Sequence, residues 1–396
     1  MKRAFRALRG LPSTVWLLGL ISLVNDSASD MIYPLVPLYL ASVLMAGPRA
    51  LGLIEGVAEA LSSLLKLVAG VLSDRMRSMR LWVIGGYAVA GLARPLIGLA
   101  QSWLGVFGAR LLDRVGRGFR AAPRDAMLRE SVPAHRRGLA FGLHRAMDNT
   151  GAVIGPLIAA GLLAAGLSLR QVFLCAIVPA VVVLILTFRL KDPEPDQVPV
   201  MAGMRWNPAS LPPALRRYLL ALTLFTLGNS SNMFLLLRAQ DLGTDTERVV
   251  LMWALFSGVA AVFSTPLSAL SDRFGRVRVL GAAWCAYALA YLTLGLLPAT
   301  GWTLWMSFAG YGLVMAALEG TEKALVADLV DSGRAGTAFG WYNLVAGLML
   351  LPASIVFGAL WQSISPLAAF AFGAVCSGSA ALLLLTWVRR GIARSQ

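Results

Sequence analysis

Gly70-Val71-Leu72-Ser73-Asp74-Arg75 places an acid and a base at the end of a long apolar run, and the chain repeats it as Ser268-Ala269-Leu270-Ser271-Asp272-Arg273. From Ser73 to Ser271 is 271 minus 73, or 198 residues, half of the 396-residue chain. Gly138-Leu139-Ala140-Phe141-Gly142 returns at the same spacing as Gly336-Thr337-Ala338-Phe339-Gly340. Two separated motifs sharing one offset, equal to half the length, make the chain two copies of one half.

The sequence around these motifs is apolar. With 58% hydrophobic residues, 14% charged residues and a mean hydropathy of +0.71, there is too little polar surface to coat a soluble globule. One crossing of a bilayer needs roughly 20 apolar residues. Twelve spans can be traced, at 13–39, 51–72, 81–100, 103–128, 138–167 and 171–188, then 218–237, 249–270, 279–297, 302–326, 336–361 and 367–388. Ser13 is placed to cap the first, and Pro34 and Pro37 to kink or unwind its end. The fold expected is an all-α membrane protein of twelve transmembrane helices in two pseudo-symmetric six-helix bundles, residues 1–190 and 216–396. The linker at 191–215 is marked by Pro193, Pro195, Pro199, Pro208, Pro212 and Pro213.

The net charge of +15 is distributed by topology. Lys2, Arg3, Arg6 and Arg9, then Arg75, Arg77 and Arg80, Arg129, Arg136 and Arg137, and later Arg273, Arg276, Arg278, Arg334, Arg389, Arg390 and Arg394 mark alternate span ends, while the opposite loops are poor in charge. The positive-inside rule puts both termini in the cytoplasm, as a multi-pass protein of the cytoplasmic (inner) membrane. Nucleic-acid binding is disfavoured, because the basic residues form no single face or tail. Cys175, Cys285 and Cys376 lie singly in apolar runs and read as small hydrophobes; neither a metal nor a cofactor is expected. The first apolar run lacks an Ala-x-Ala cleavage site and is read as a retained span.

The informative residues are the charges inside spans. Asp26 and Asp30 share one face of span 1, and Glu55 and Glu59 one face of span 2. Removal from water penalises the charged form of a carboxylate, so these acids either carry protons or neutralise arginines in fixed pairs. Asp26 or Asp30 is the preferred proton site, since span 1 has no cation there. In span 4, Arg110, Asp113, Arg114, Arg117, Arg120 and Arg124 fall within a stripe of roughly 120°, which faces protein or water. Arg114 with Gly118 sets a guanidinium beside a close helix approach. It either holds a neighbouring carboxylate in one conformation and releases it in another, or forms a static salt bridge. His144 and Asp148, four apart on span 5, form either a proton relay or a structural hydrogen bond, and Gly151, Gly155 and Pro156 suit tight packing and a bend. In span 7, Asn229, Asn232 and Met233 echo the Asn25 to Met31 stretch with amides for carboxylates; span 10 carries Glu319, Glu322 and Lys323. Asp74-Arg75 and Asp272-Arg273 read as a duplicated latch at a helix end, against the alternative of loop charges satisfying helix termini.

Twelve spans, two copies of six, a broken linker and the loop motif resemble the major facilitator superfamily of secondary transporters along the whole chain. The family's loop pattern is similar to Gly70, Asp74, Arg75 and Arg80, and its second copy to Asp272, Arg273, Gly275, Arg276 and Arg278, with departures at Arg77 and Ser268. The span 4 pattern matches Arg114 and Gly118. The span 5 pattern of the superfamily's proton-coupled exporters resembles Gly151, Gly155 and Pro156, with Ala159 and Ala160 where later glycines are usual. The resemblance implies that spans 1, 4, 7 and 10 line a central cavity, which Asp26, Asp30, Arg114, Asn229, Asn232 and Glu319 would approach; repeat logic places the site at the midplane.

The function expected is a proton-coupled antiporter exporting small amphiphilic organic compounds by alternating access. Asp26, Asp30, Glu55, Glu59 and Asp148 would handle protons, and Arg114, Arg117, Asn229, Asn232, Met233 and Glu319 would face the substrate. The alternative is a proton-coupled importer of a polar or anionic solute, with the span 4 arginines as ligands. An enzyme is not expected, since there is no Gly-x-Ser-x-Gly, His-Glu-x-x-His or phosphate loop. The lack of a carbonyl-rich filter disfavours a channel. The partners expected are a small-molecule substrate, protons and the lipid bilayer. A monomer is expected, because each copy buries its face against the other.

Overall fold

The computed structural model describes residues 10–73, 78–133, 137–192, 211–296, 301–330 and 335–390. The described residues are helical, without strands. In the first repeat the helices are α1 (Ser13–Ile32), α2 (Leu35–Ser42), α3 (Pro48–Ser73), α4 (Met79–Leu99), α5 (Trp103–Glu130), α6 (Arg137–Ala164), α7 (Leu169–Cys175) and α8 (Ile177–Thr187). The second has α9 (Pro213–Gly228), α10 (Met233–Asp241), α11 (Thr246–Phe274), α12 (Arg276–Leu296), α13 (Gly301–Asp328), α14 (Ala335–Ser363) and α15 (Pro366–Leu383), which continues into a π-helical turn, Leu384–Val388.

These helices account for twelve spans, because α1 with α2, α7 with α8, and α9 with α10 are each one crossing interrupted once. The first break falls at Tyr33–Pro34, where proline has no N–H to continue the ladder, while Pro37 is accommodated within α2. Ser13 does not cap α1; the N-cap is Pro12 and no side-chain cap bond forms. Among the described residues, ten segments are long and apolar enough to cross a membrane by composition; α5 is not among them. Its polarity comes from Arg110, Asp113, Arg114, Arg117, Arg120 and Arg124 along its length.

Two compact units emerge, Met1–Val36 with Leu64–Met201, and Pro37–Ser63 with Ala202–Gln396. Most of the expected linker, 193–210, lies outside the described residues, and the stretch 37–63, with Glu55 and Glu59, goes with the second unit. Close backbone approach explains this. A Cβ on Gly56 would meet Leu351 O at 3.0 Å, and one on Gly358 would meet Pro48 O at 2.5 Å, so α3 and α14 touch backbone to backbone. Arg49 also donates to Ser363 Oγ and, through its backbone N–H, to Gln362 Oε1 at 3.2 Å.

Within each repeat the same partners pack. In the first, α1 lies along α6, and α4 along α5 and α7–α8; in the second, α9 lies along α14, and α12 along α13 and α15. The apolar core of the first unit includes Val15, Leu18 and Ile21 of α1 with Val83 and Tyr87 of α4 and Met127 and Leu128 of α5.

Candidate functional site

Two glycines decide where the acids of α1 stand. A Cβ on Gly151 would fall 2.6 Å from Leu23 O, and a Cβ on Gly155 would collide with Ser27 O, so α6 lies directly on the α1 backbone between Leu23 and Met31. Asp26 and Asp30 sit in that stretch, half-buried. Pro156 follows inside α6. Contact this close puts Asp148 of α6 among the charges acting on Asp26, together with Arg117, Arg120 and Arg124 of α5. Those acting on Asp30 are Asp26, Arg117, Arg94 and Arg114.

The side chains here form a directed hydrogen-bonded chain. Arg124 Nη1 donates to Ser22 Oγ at 3.3 Å, Ser22 Oγ lies 2.9 Å from His144 Nε2, and His144 Nδ1 lies 3.3 Å from Asp148 Oδ2. With the His144 proton on Nδ1, Ser22 donates to Nε2 and His144 donates to Asp148, so every link has one donor and one acceptor. Asp148 Oδ1, also buried, has no hydrogen-bond partner among the described residues. Asn25 Nδ2 donates to Asp26 Oδ1 at 2.7 Å, and Arg117 Nη2 donates to Ser29 Oγ at 3.2 Å. Arg120, buried, lies over the Tyr87 ring at 4.4 Å, a cation–π contact that offsets some of its lost hydration.

A second cluster lies deeper. Asp113 is 1% exposed and accepts from Arg94 Nε at 3.1 Å and Arg114 Nη1 at 3.3 Å, with Arg110 Nη1 at 3.9 Å. Arg94 also donates to Asn25 O at 3.1 Å, tying the cluster to α1. Arg114, expected near the substrate, is 2% exposed and paired with Asp113. Gly118 brings α5 against α3, since a Cβ there would fall 2.5 Å from Leu65 Cβ.

The second unit is built differently at the positions singled out from the sequence. Asn229 Oδ1 accepts from Tyr287 OH at 3.0 Å, and Asn232 Oδ1 from Tyr311 OH at 2.8 Å. Met233 is fully buried beside them at the start of α10. Tyr287 stacks on Tyr291 at 4.4 Å, and Phe225 on Trp284 at 4.6 Å. The side chain of Glu319 lies outside the described residues, but Glu322, one turn on, is 8% exposed. It accepts from Trp284 Nε1 at 3.3 Å and from Tyr342 OH at 2.7 Å. Sequence reasoning noted Glu322 only as a charge near a helix end; no spacing rule pointed to its donors on α12 and α14.

Of the expected latch, Asp74 and Arg75 and the side chain of Asp272 lie outside the described residues, and Arg273 is exposed at the end of α11. Glu55 is buried and Glu59 half-buried, and both belong to the second unit.

This architecture has counterparts in known proteins. The chain is 35% identical over 387 residues to an uncharacterized MFS-type transporter of Methanocaldococcus jannaschii, covering 95% of each. It is 26% identical over 332 residues to the multidrug resistance protein MdtG of Enterobacter lignolyticus, covering 80% of this chain and 78% of that one. A crystal structure of a POT family transporter in complex with a thioalcohol conjugated peptide has the same fold, with a TM-score of 0.79 at 11% identity over 96% of this chain and 97% of that one. The Major Facilitator Superfamily model matches residues 18–238 and 218–395. Taken with the duplicated six-helix units, these likenesses make the chain a member of the Major Facilitator Superfamily, a multi-pass integral membrane transporter and not an enzyme.

Proposed function

We propose that this transporter is a proton-coupled antiporter of the inner membrane, with cytoplasmic termini, exporting small amphiphilic organic compounds. The observation that carries the reading is the chain from Arg124 through Ser22 and His144 to Asp148, laid beside Asp26 by the Gly151–Gly155 contact. Asp148 presents an oxygen with no donor among the described residues, and Asp26 stands in its field; these are places to take up and release a proton. Rocking of the repeated halves about the membrane centre then changes which side those acids face.

In the proposed cycle the buried aromatic cluster of the second unit, with Glu322 hydrogen-bonded to Trp284, opens to a flat apolar substrate that carries a positive charge. The likeness to MdtG supports export. A latch made by Asp74, Arg75, Asp272 and Arg273 belongs to the same proposal.

The test is transport in proteoliposomes under an imposed pH gradient. Wild type is expected to drive a lipophilic cation such as ethidium against its gradient as protons run down theirs, and Asp26→Asn with Asp148→Asn is expected to abolish the gradient dependence. Transport in that double variant with undiminished response to pH overturns the proton assignment. The second reading, uptake of a polar anion, is favoured by Arg117, Arg120 and Arg124 lying together near Asp26. Under it, Arg117→Ala loses affinity for the solute while the pH response stays.

A further inference from the structure

α11 ends at Phe274 and α12 begins at Arg276, with Gly275 between them at φ +90°, a backbone conformation that suits glycine. The sharp turn gathers Arg273, Arg276 and Arg278 at one end of the second unit, where Arg389 follows the π-helical turn of the last span. All four line a cavity of about 500 Å³, in the range of roughly 300–1,000 Å³ usual for small-ligand sites. Asp328 is the one acid in the lining, so four positive charges face one negative and three are left over.

The arrangement is held in place. Arg276 Nε donates to Asp328 Oδ2 at 3.1 Å, and its Nη1 donates to Ser271 Oγ at 2.6 Å, fixing one guanidinium against the end of α13. Arg273, Arg278 and Arg389 remain exposed around it. Like charges brought this close repel, and an anion of two or more oxygens relieves the repulsion while accepting paired N–H bonds.

One wall is apolar. Phe263, Leu270 and Phe274 recur at intervals of seven and four residues, so they share a face of α11, and they are 42%, 39% and 59% exposed. That face leads from the cavity along the helix toward the membrane interior. A charged head on an apolar tail fits both parts.

We propose that this cavity binds a phosphate-bearing anion, and that in the membrane the anion is the headgroup of an acidic phospholipid with an acyl chain against Phe263, Leu270 and Phe274. The positive-inside pattern puts this end of the second unit at the cytoplasmic leaflet, where a basic pocket at helix ends meets anionic lipid. The same pattern requires arginines at span ends but gives no reason for them to enclose a cavity.

The experiment uses the full-length protein in a neutral detergent, titrated with phosphatidylglycerol, with phosphatidylcholine, and separately with glycerol phosphate, and followed by thermal unfolding and native mass spectrometry. Phosphatidylglycerol is expected to raise the unfolding temperature and remain bound, and phosphatidylcholine to do neither. Removing two of the four arginines as Arg273→Gln with Arg389→Gln is expected to weaken phosphatidylglycerol binding roughly 30-fold, at about tenfold for each 1.4 kcal/mol and about 1 kcal/mol per charge. Arg278→Gln alone, a smaller change, gives the same reading if the double variant folds poorly. Glycerol phosphate matching the lipid's effect, and lost in the same variants, moves the source of the phosphate from lipid to water and discards the acyl-chain part. Equal binding of phosphatidylglycerol by wild type and both variants overturns the site.

Discussion

The two repeats place opposite charges at corresponding positions. Arg124 and Glu322 are 198 residues apart (322 minus 124), as are His144 and Tyr342 (342 minus 144), the spacing of the duplicated motifs. In the first repeat a guanidinium reaches His144 through Ser22; in the second a carboxylate accepts directly from Tyr342. Asp113, which anchors three arginines, corresponds to Tyr311 (311 minus 113 is again 198), which bonds Asn232. Duplication kept the helix framework and the polar positions while the chemistry at them diverged. The first copy holds titratable groups in series, and among the described residues the second sets Glu322 in a buried aromatic cluster. In a bilayer a charge that loses its partner costs more than a tyrosine or an amide that does, so the first copy is the more sensitive to loss of a partner.

The largest effect expected is at Asp113. Asp113→Leu removes the carboxylate that Arg94, Arg110 and Arg114 share, and breaking one side of a buried pair costs about 3–5 kcal/mol. The measure is the yield of monodisperse protein and its unfolding temperature. Tyr311→Phe, at the corresponding position of the other repeat, removes one hydrogen bond to Asn232 and is expected to cost about 1 kcal/mol. Similar losses at the two positions would break the contrast between a paired-charge repeat and a tolerant one.

Of intermediate size is the effect at Glu322. Glu322→Gln keeps the shape and removes the charge, and is expected to reduce transport of a cationic compound about tenfold, equivalent to about 1.4 kcal/mol, with little loss for a neutral one of similar size. Tyr342→Phe leaves the carboxylate one donor fewer and should discriminate less between the two compounds. If Glu322→Gln affects neutral and cationic compounds alike, Glu322 is a packing acid and the second repeat has no charge role.

Much of this was legible in the sequence, for reasons that differ by residue. The repeat and the twelve crossings were readable because the bilayer forces long apolar runs, and a fixed offset needs no structure to see. Gly151 and Gly155 announced a close approach, but only coordinates show that the partner is the α1 stretch holding Asp26 and Asp30. Arg94 stood alone in its span and Asp113 was the lone acid in the stripe of span 4. Their pairing was hidden because it depends on how α4 and α5 meet at Gly86 and Gly116, where a Cβ on either would lie within 2.7 Å of the other helix's backbone. The split of the second span between the two units was equally invisible, since composition does not say which neighbour a helix end will touch. The place of Glu322 depends on the donors Trp284 and Tyr342, which lie on other helices and leave no mark on local spacing.

The smallest effect is expected at Arg276 and Asp328, and it sharpens the comparison from the outside. Their 3.1 Å pair has side chains 24% and 55% exposed, unlike Arg94 and Asp113 at 1% and 2%. Water solvates both partners once they part and salt screens them while they are joined, so Asp328→Asn is expected to cost less than about 1 kcal/mol. The same substitution raises the charge around the arginine-lined cavity by one, which works against the folded protein at low ionic strength and fades as salt is added. Unfolding of wild type and Asp328→Asn at low and high salt checks both points: the difference should be small and shrink with salt. A salt-independent loss as large as that at Asp113 would mean that burial is not what separates the two ion pairs.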